Sequence, residues 1–171
     1  MKKFLMIIPL VILLCFTFSC QKQAEEEKPA VDIDAEKAKV KSVVDMVETA
    51  FETEDMEILS KCFSRNPDMI IFGTDAAERW VGWDAFAEAQ QQFFEALEEC
   101  DISTKDLVIK VHKTGEVAWV SWLMDWEGKA LGEPFAFKGI RLTGVMEKLD
   151  GNWVIVQWHG SVPVSGQAVK Y

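Results

Sequence analysis

The chain is poor in the residues that a metal centre or a nucleic-acid surface requires. It contains two His and four Cys, and no two Cys fall in a Cys-x-x-Cys spacing. Structural zinc needs four such ligands at close spacing, so no metal site and no cofactor are expected. Basic residues are scarce: 18 Lys and Arg, two of them at the extreme N-terminus, face 28 Asp and Glu. Binding to a phosphate backbone rests on clustered cations, which makes nucleic acid an unexpected partner. The same deficit argues against electrostatic docking on an anionic membrane surface. Tyrosine is nearly missing, with Tyr171 alone at the C-terminal end. The one long apolar run, Phe4 to Phe18, is shorter than the roughly 20 residues that cross about 30 Å of hydrocarbon. There are no internal repeats.

That apolar run is nonetheless informative. Lys2 and Lys3 precede it, Ser19-Cys20 ends it, and the polar stretch Gln21 to Pro29 follows. A cationic start, an apolar core and a small residue before the cut describe a secretory signal over residues 1–19. The arrangement resembles a bacterial lipoprotein signal, in which the Cys after the cut is lipidated. Thr17 and Phe18 depart from the usual pattern, and plain signal cleavage is the alternative. The resemblance implies a protein of the cell envelope, held on a bacterial membrane through lipid on Cys20, facing the periplasm or the surface. Residues 20–33 are acidic, contain Pro29 and lack apolar periodicity, so they form a solvated linker. Cys62 and Cys100 lie far apart and are read as two separate thiols.

The remaining chain suffices for one domain, residues 34–164, with a tail at 165–171. From Asp34 the pattern is helical, with Val40, Val43, Val47, Ala50 and Phe51 on one stripe. A second short helix covers about Asp55 to Cys62. Asn66-Pro67-Asp68 makes a turn, and short strands follow at Met69 to Phe72 and Arg79 to Val81. Asp84 opens a third helix that runs to about Glu99, with Phe86, Ala89, Phe93 and Leu97 as its stripe. The period then becomes 2. Strands are expected at Leu107 to His112, Val117 to Trp126, Phe135 to Leu149 and Trp153 to Val162, the last two joined by an Asp150-Gly151 hairpin. Helices first and a meander afterwards predict an α+β domain with helices on one sheet face.

The order of these elements and their local motifs resemble the SnoaL-like branch of the nuclear transport factor 2-like superfamily. The carrying segments are Ala50-Phe51-Glu52-Thr53-Glu54-Asp55, Asn66-Pro67-Asp68, Trp80-Val81-Gly82 and Val117-Ala118-Trp119-Val120. Gly139 to Val145, Asp150 to Val156 and His159-Gly160-Ser161-Val162-Pro163 complete them. The resemblance implies a cone, with a strongly curved, mainly antiparallel sheet wrapped around three N-terminal helices and a pocket at the open end. It leaves the chemistry open. Steroid isomerases and dehydratases of this fold depend on Tyr, and the one Tyr of this chain, Tyr171, stands at the end of the tail. Its epoxide hydrolases place an acid two residues after an Arg, where Thr143 stands here. The polyketide cyclases of the branch need an Asp base, for which Asp125 or Asp75 would serve.

Strand parity supplies the pocket candidates. Arg141, Thr143, His159 and Ser161 are expected to point inward near the mouth, making a site for a carboxylate or another planar acceptor. The alternative is a structural network in which Arg141 pairs with Asp75 or Asp125. Seven Trp are a heavy aromatic load. Trp80, Trp83 and Trp119 are assigned to the pocket, and Trp122, Trp126 and Trp158 to an outer face that would form a homodimer interface. Binding of a small, partly apolar molecule, anionic at one end, is favoured over proton-transfer catalysis (isomerisation, cyclisation or dehydration) by Asp125 or His159.

Overall fold

The change of period from 3.6 to 2 occurs at Leu97, earlier than the sequence pattern suggests. A computed structural model describes residues 30–166 and 169; the signal, Cys20, most of the linker and most of the tail lie outside them. Three helices come first: α1 Ile33–Glu52, α2 Met56–Cys62 and α3 Trp83–Ala96. The Asp32 carboxylate caps α1 by accepting from Ala35 N at 3.0 Å. The Asp55 carboxylate caps α2 by accepting from Glu57 N and Ile58 N. Each thereby satisfies donors that have no partner within the helix. At the end of α3, Leu97 N donates to the Phe93 and Phe94 carbonyls and the chain passes directly into a strand.

The strands are β1 Ile70–Phe72, β2 Arg79–Val81, β3 Leu97–Val111, β4 Val117–Ala130, β5 Glu133–Leu149 and β6 Asn152–Ser161. They form one sheet in the order β2-β1-β6-β5-β4-β3. Only the β1–β6 pair is parallel. The first half of β3, Leu97 to Thr104, was expected to be helix and then loop. Its polar outer positions Glu99, Asp101 and Ser103 alternate with Cys100, Ile102 and Thr104, a half-buried strand whose polar face hides the pattern. Asp150 and Gly151 both have positive φ, 50° and 83°, as a tight hairpin turn requires.

Four register shifts interrupt the ladders. β3 carries an extra residue at Glu98 and another at Asp106, β5 has one near Gly139, and β6 has one at Val156. Each bulge bends its strand and increases the local twist, so the sheet curls around the helices. The core fills the resulting hollow: Val40, Val44 and Ala50 from α1 and Leu59 from α2 meet Ile140, Met146 and Ile155 from the sheet, all at 0–1% exposure. The expected α+β architecture, helices inside a curled sheet, is what the chain forms.

Candidate functional site

The helices do not fill the hollow completely. A cavity of about 310 Å³ remains between α1, α3 and the concave face of the sheet, large enough for a small organic molecule. Aromatic rings form its walls. Trp126 lies 5.5 Å from Phe93 and 5.9 Å from Phe51, both edge-on. Trp158 lies 4.9 Å from Trp122, also edge-on, and 5.8 Å from Phe63. Trp80 packs against Phe86 at 5.7 Å. Edge-to-face pairs are the favoured aromatic arrangement, so these walls hold their shape. Of the lining residues, Phe72 and Gln92 are exposed, which places the solvent side of the cavity beside β1 and the middle of α3.

Polar groups in this lining are few. Gln90 on α3 is 8% exposed, and its Oε1 accepts no hydrogen bond from any described residue. Trp122 on β4 is 4% exposed, and its Nε1 donates to none. Leaving such a group unpaired costs about 1–3 kcal/mol, so a buried acceptor and a buried donor beside one cavity is an arrangement that a guest relieves. Glu48 on α1 is half-buried and accepts from Thr104 Oγ1. Burial holds its carboxyl above the usual carboxylate range; the Thr104 hydrogen bond opposes that shift, and nearby Asp45 and Glu52 add to it. Glu78 sits in the β1–β2 turn and accepts from Asp75 N at 2.9 Å.

The structure corrects most of the residues chosen from the sequence. Arg141, Thr143 and His159 are exposed on the convex face, and Ser161 shares their parity. Arg141 makes no ion pair among the described residues, so it neither lines the pocket nor belongs to a structural network. For Arg141 and Thr143 the physical reason is that the buried Ile140, Leu142 and Met146 take the inward positions of β5. For His159 and Ser161 it is Val156: counting by two from the buried Ile155 leads to Gln157 and His159, but the bulge adds one residue and turns Trp158 and Gly160 inward instead. Trp119 is 43% exposed on the convex face, with Lys110 Nζ 5.7 Å from its ring centroid. Trp83 is buried outside the cavity lining, and Arg65 Cζ lies 4.1 Å from its ring centroid. Trp80 alone of the chosen seven lines the cavity. Trp122, Trp126 and Trp158, expected outside, form its walls.

The proposed bases fare no better. The Asp125 Oδ2 is 2.6 Å from Lys105 Nζ, and its Oδ1 accepts from Gly139 N at 2.9 Å. The Lys105 hydrogen bond, aided by Gly139, holds this carboxyl below its usual range, the reverse of what an active base needs. The His159 ring lies tilted against Phe72, 5.7 Å between centroids, and does not line the cavity. Asp75 is exposed and does not line the cavity. The two thiols are unpaired. Burial pushes Cys62 up to about 12, and Cys100 accepts from Trp126 Nε1 at 3.3 Å.

Parity alone did not find Glu48 or Gln90, but the sequence carries a signal for both. Val44-Val47-Glu48-Phe51 and Phe86-Ala89-Gln90-Phe93 repeat one spacing, with a polar residue at the third position of an apolar helical stripe. A polar side chain there is carried into the core by its neighbours.

Residues 40–165 match the family model of a SnoaL-like domain. The fold is similar to that of a nuclear transport factor 2-like superfamily protein from Salmonella enterica serovar Typhimurium LT2. That match has a TM-score of 0.71 and 16% identity, covering 81% of this chain and 99% of the other. It is also similar to a nuclear transport factor 2-like protein of unknown function from Pseudomonas putida KT2440, with a TM-score of 0.64, 16% identity and coverage of 80% and 93%. A protein with a cystatin-like fold from Caulobacter vibrioides matches with a TM-score of 0.64 and 15% identity, covering 76% and 91%. At these identities the likeness concerns the fold alone. No curated protein matches the chain.

Proposed function

Because the chain belongs to the SnoaL-like domain family, whose fold is built around a hollow, we propose that it is a small-molecule-binding domain tethered to a bacterial envelope membrane through Cys20. The observation that carries the binding reading is the pair of unsatisfied buried atoms, Gln90 Oε1 and Trp122 Nε1, beside an aromatic-walled cavity of about 310 Å³. A guest with an apolar body and both a donor and an acceptor would relieve them. Proton-transfer chemistry by Asp125 or His159 has no support in this geometry, since neither faces the cavity. The tether rests on the signal-like segment and Cys20.

A neutral phenylalkyl alcohol, 4-phenylbutan-1-ol, tests the binding reading because it has an apolar body and a hydroxyl that both donates and accepts. Titration should change the tryptophan emission in a saturable way. Ala89 lines the cavity from α3, and Ala89→Leu should fill it and weaken binding at least about tenfold (about 1.4 kcal/mol) while circular dichroism stays unchanged. Arg141→Ala, on the convex face, should bind as the wild type does. Absence of a saturable change in the wild-type protein, or equal binding by Ala89→Leu, would overturn the reading.

A further inference from the structure

The charge of the cavity narrows what it can hold. Its lining includes two carboxylates, Glu48 and Glu78, and among the described residues no Lys, Arg or His contributes to it. Arg79 stacks over Phe72 with Cζ 5.8 Å from the ring centroid, but it is exposed and outside the lining. The two carboxylates are engaged differently. Glu78 Oε2 holds the β1–β2 turn through Asp75 N and Thr74 Oγ1. Glu48 receives one side-chain hydrogen bond, from Thr104, although a carboxylate offers about four acceptor positions. Four indole rings, those of Trp80, Trp122, Trp126 and Trp158, complete the walls, and indole faces attract cations more strongly than other aromatic rings do. Gln90 Oε1 adds a buried acceptor without a donor.

We propose that the cavity selects an organic cation: an apolar skeleton bearing a protonated amine that donates to Glu48 and Gln90, with an oxygen acceptor placed for Trp122 Nε1. This rests on the binding reading above and reverses the anionic end expected from Arg141. An anion would enter a desolvated, carboxylate-bearing hollow with no counter-charge. A neutral guest would relieve Gln90 and Trp122 but leave Glu48 without a compensating charge. The formal net charge of −10 favours approach of a cation.

Three probes that share one skeleton separate the possibilities at pH 7 and low salt: 4-phenylbutylamine, 4-phenylbutan-1-ol and 4-phenylbutanoate, each titrated by calorimetry. The amine is expected to bind at least about tenfold more tightly than the alcohol, and the carboxylate weakest of the three. Glu48→Gln should remove the advantage of the amine over the alcohol, with an unchanged circular dichroism spectrum showing that the variant is folded. Equal affinity for amine and alcohol, or tightest binding of the carboxylate, overturns the cation proposal and leaves the binding reading intact. Retention of the amine preference in Glu48→Gln overturns the role of that carboxylate. If no probe binds the wild-type protein, both readings fall.

Discussion

Glu36 shows how a single carboxylate can anchor an element. It lies in the first turn of α1, its side chain 11% exposed, and it accepts from Trp153 Nε1 and Lys148 Nζ, both at 2.7 Å, and from Lys39 Nζ at 2.9 Å. The hydrogen bond from Lys148, followed by that from Lys39, holds its pKa down to about 2 from a usual 4.5. Because the folded value is depressed, the stabilisation is fully present above about pH 4.5 and disappears as the pH falls through about 2. Acid unfolding followed by tryptophan emission should therefore be shallower for Glu36→Gln in that window. At neutral pH the same variant should lose about 2 kcal/mol, less than a fully buried pair would cost, since the Lys148 side chain is 17% exposed.

Among the elements, β5 depends on its bulge. Gly139 has φ 66°, and its N–H is turned to the Asp125 carboxylate. The extra residue shifts the inward phase from Ile140 and Leu142 to Phe137 and Phe135, which close on Trp126 at 6.2 and 5.2 Å. Gly139→Ala places a Cβ in a left-handed conformation, at a cost of about 1–2 kcal/mol, and should lower the urea midpoint with an unchanged m-value. These bulges also explain which parts of the site could be read from the sequence. The helices were legible because a 3.6-residue stripe in α1 or α3 has no break. Strand existence was legible too, from Val-rich runs and Asp150-Gly151. Orientation was not, because a period of 2 survives no insertion, and Gly139 and Val156 each reset it. One clue was present: Trp153, Ile155 and Trp158 are all bulky apolar residues, and no unbroken alternation buries all three. Leaving Trp122, Trp126 and Trp158 outside also exposed the largest apolar side chains in the chain, which burial energetics disfavours.

At the scale of the whole molecule, the proposed anchor is tested independently of the folded unit. The compact unit begins at Val31, and Cys20 lies upstream of it in sequence. Cys20→Ala should move the protein from the membrane fraction to the soluble fraction without changing its melting temperature. Unchanged fractionation would refute lipidation. The resemblance to the SnoaL-like branch made the architecture legible from element order, whereas the guest depends on the placement of a few side chains, which element order does not encode.

The cavity also links occupancy to durability. Ring edges and methyl groups that line the cavity gain dispersion contacts from a guest, so a bound molecule adds to the stability of the domain. A guest held only by the native state at a hundred times its dissociation constant would return about 2.7 kcal/mol. Supply of the small molecule would then set how long each copy survives heat and proteolysis, making turnover of the protein itself a gauge of what the surroundings contain.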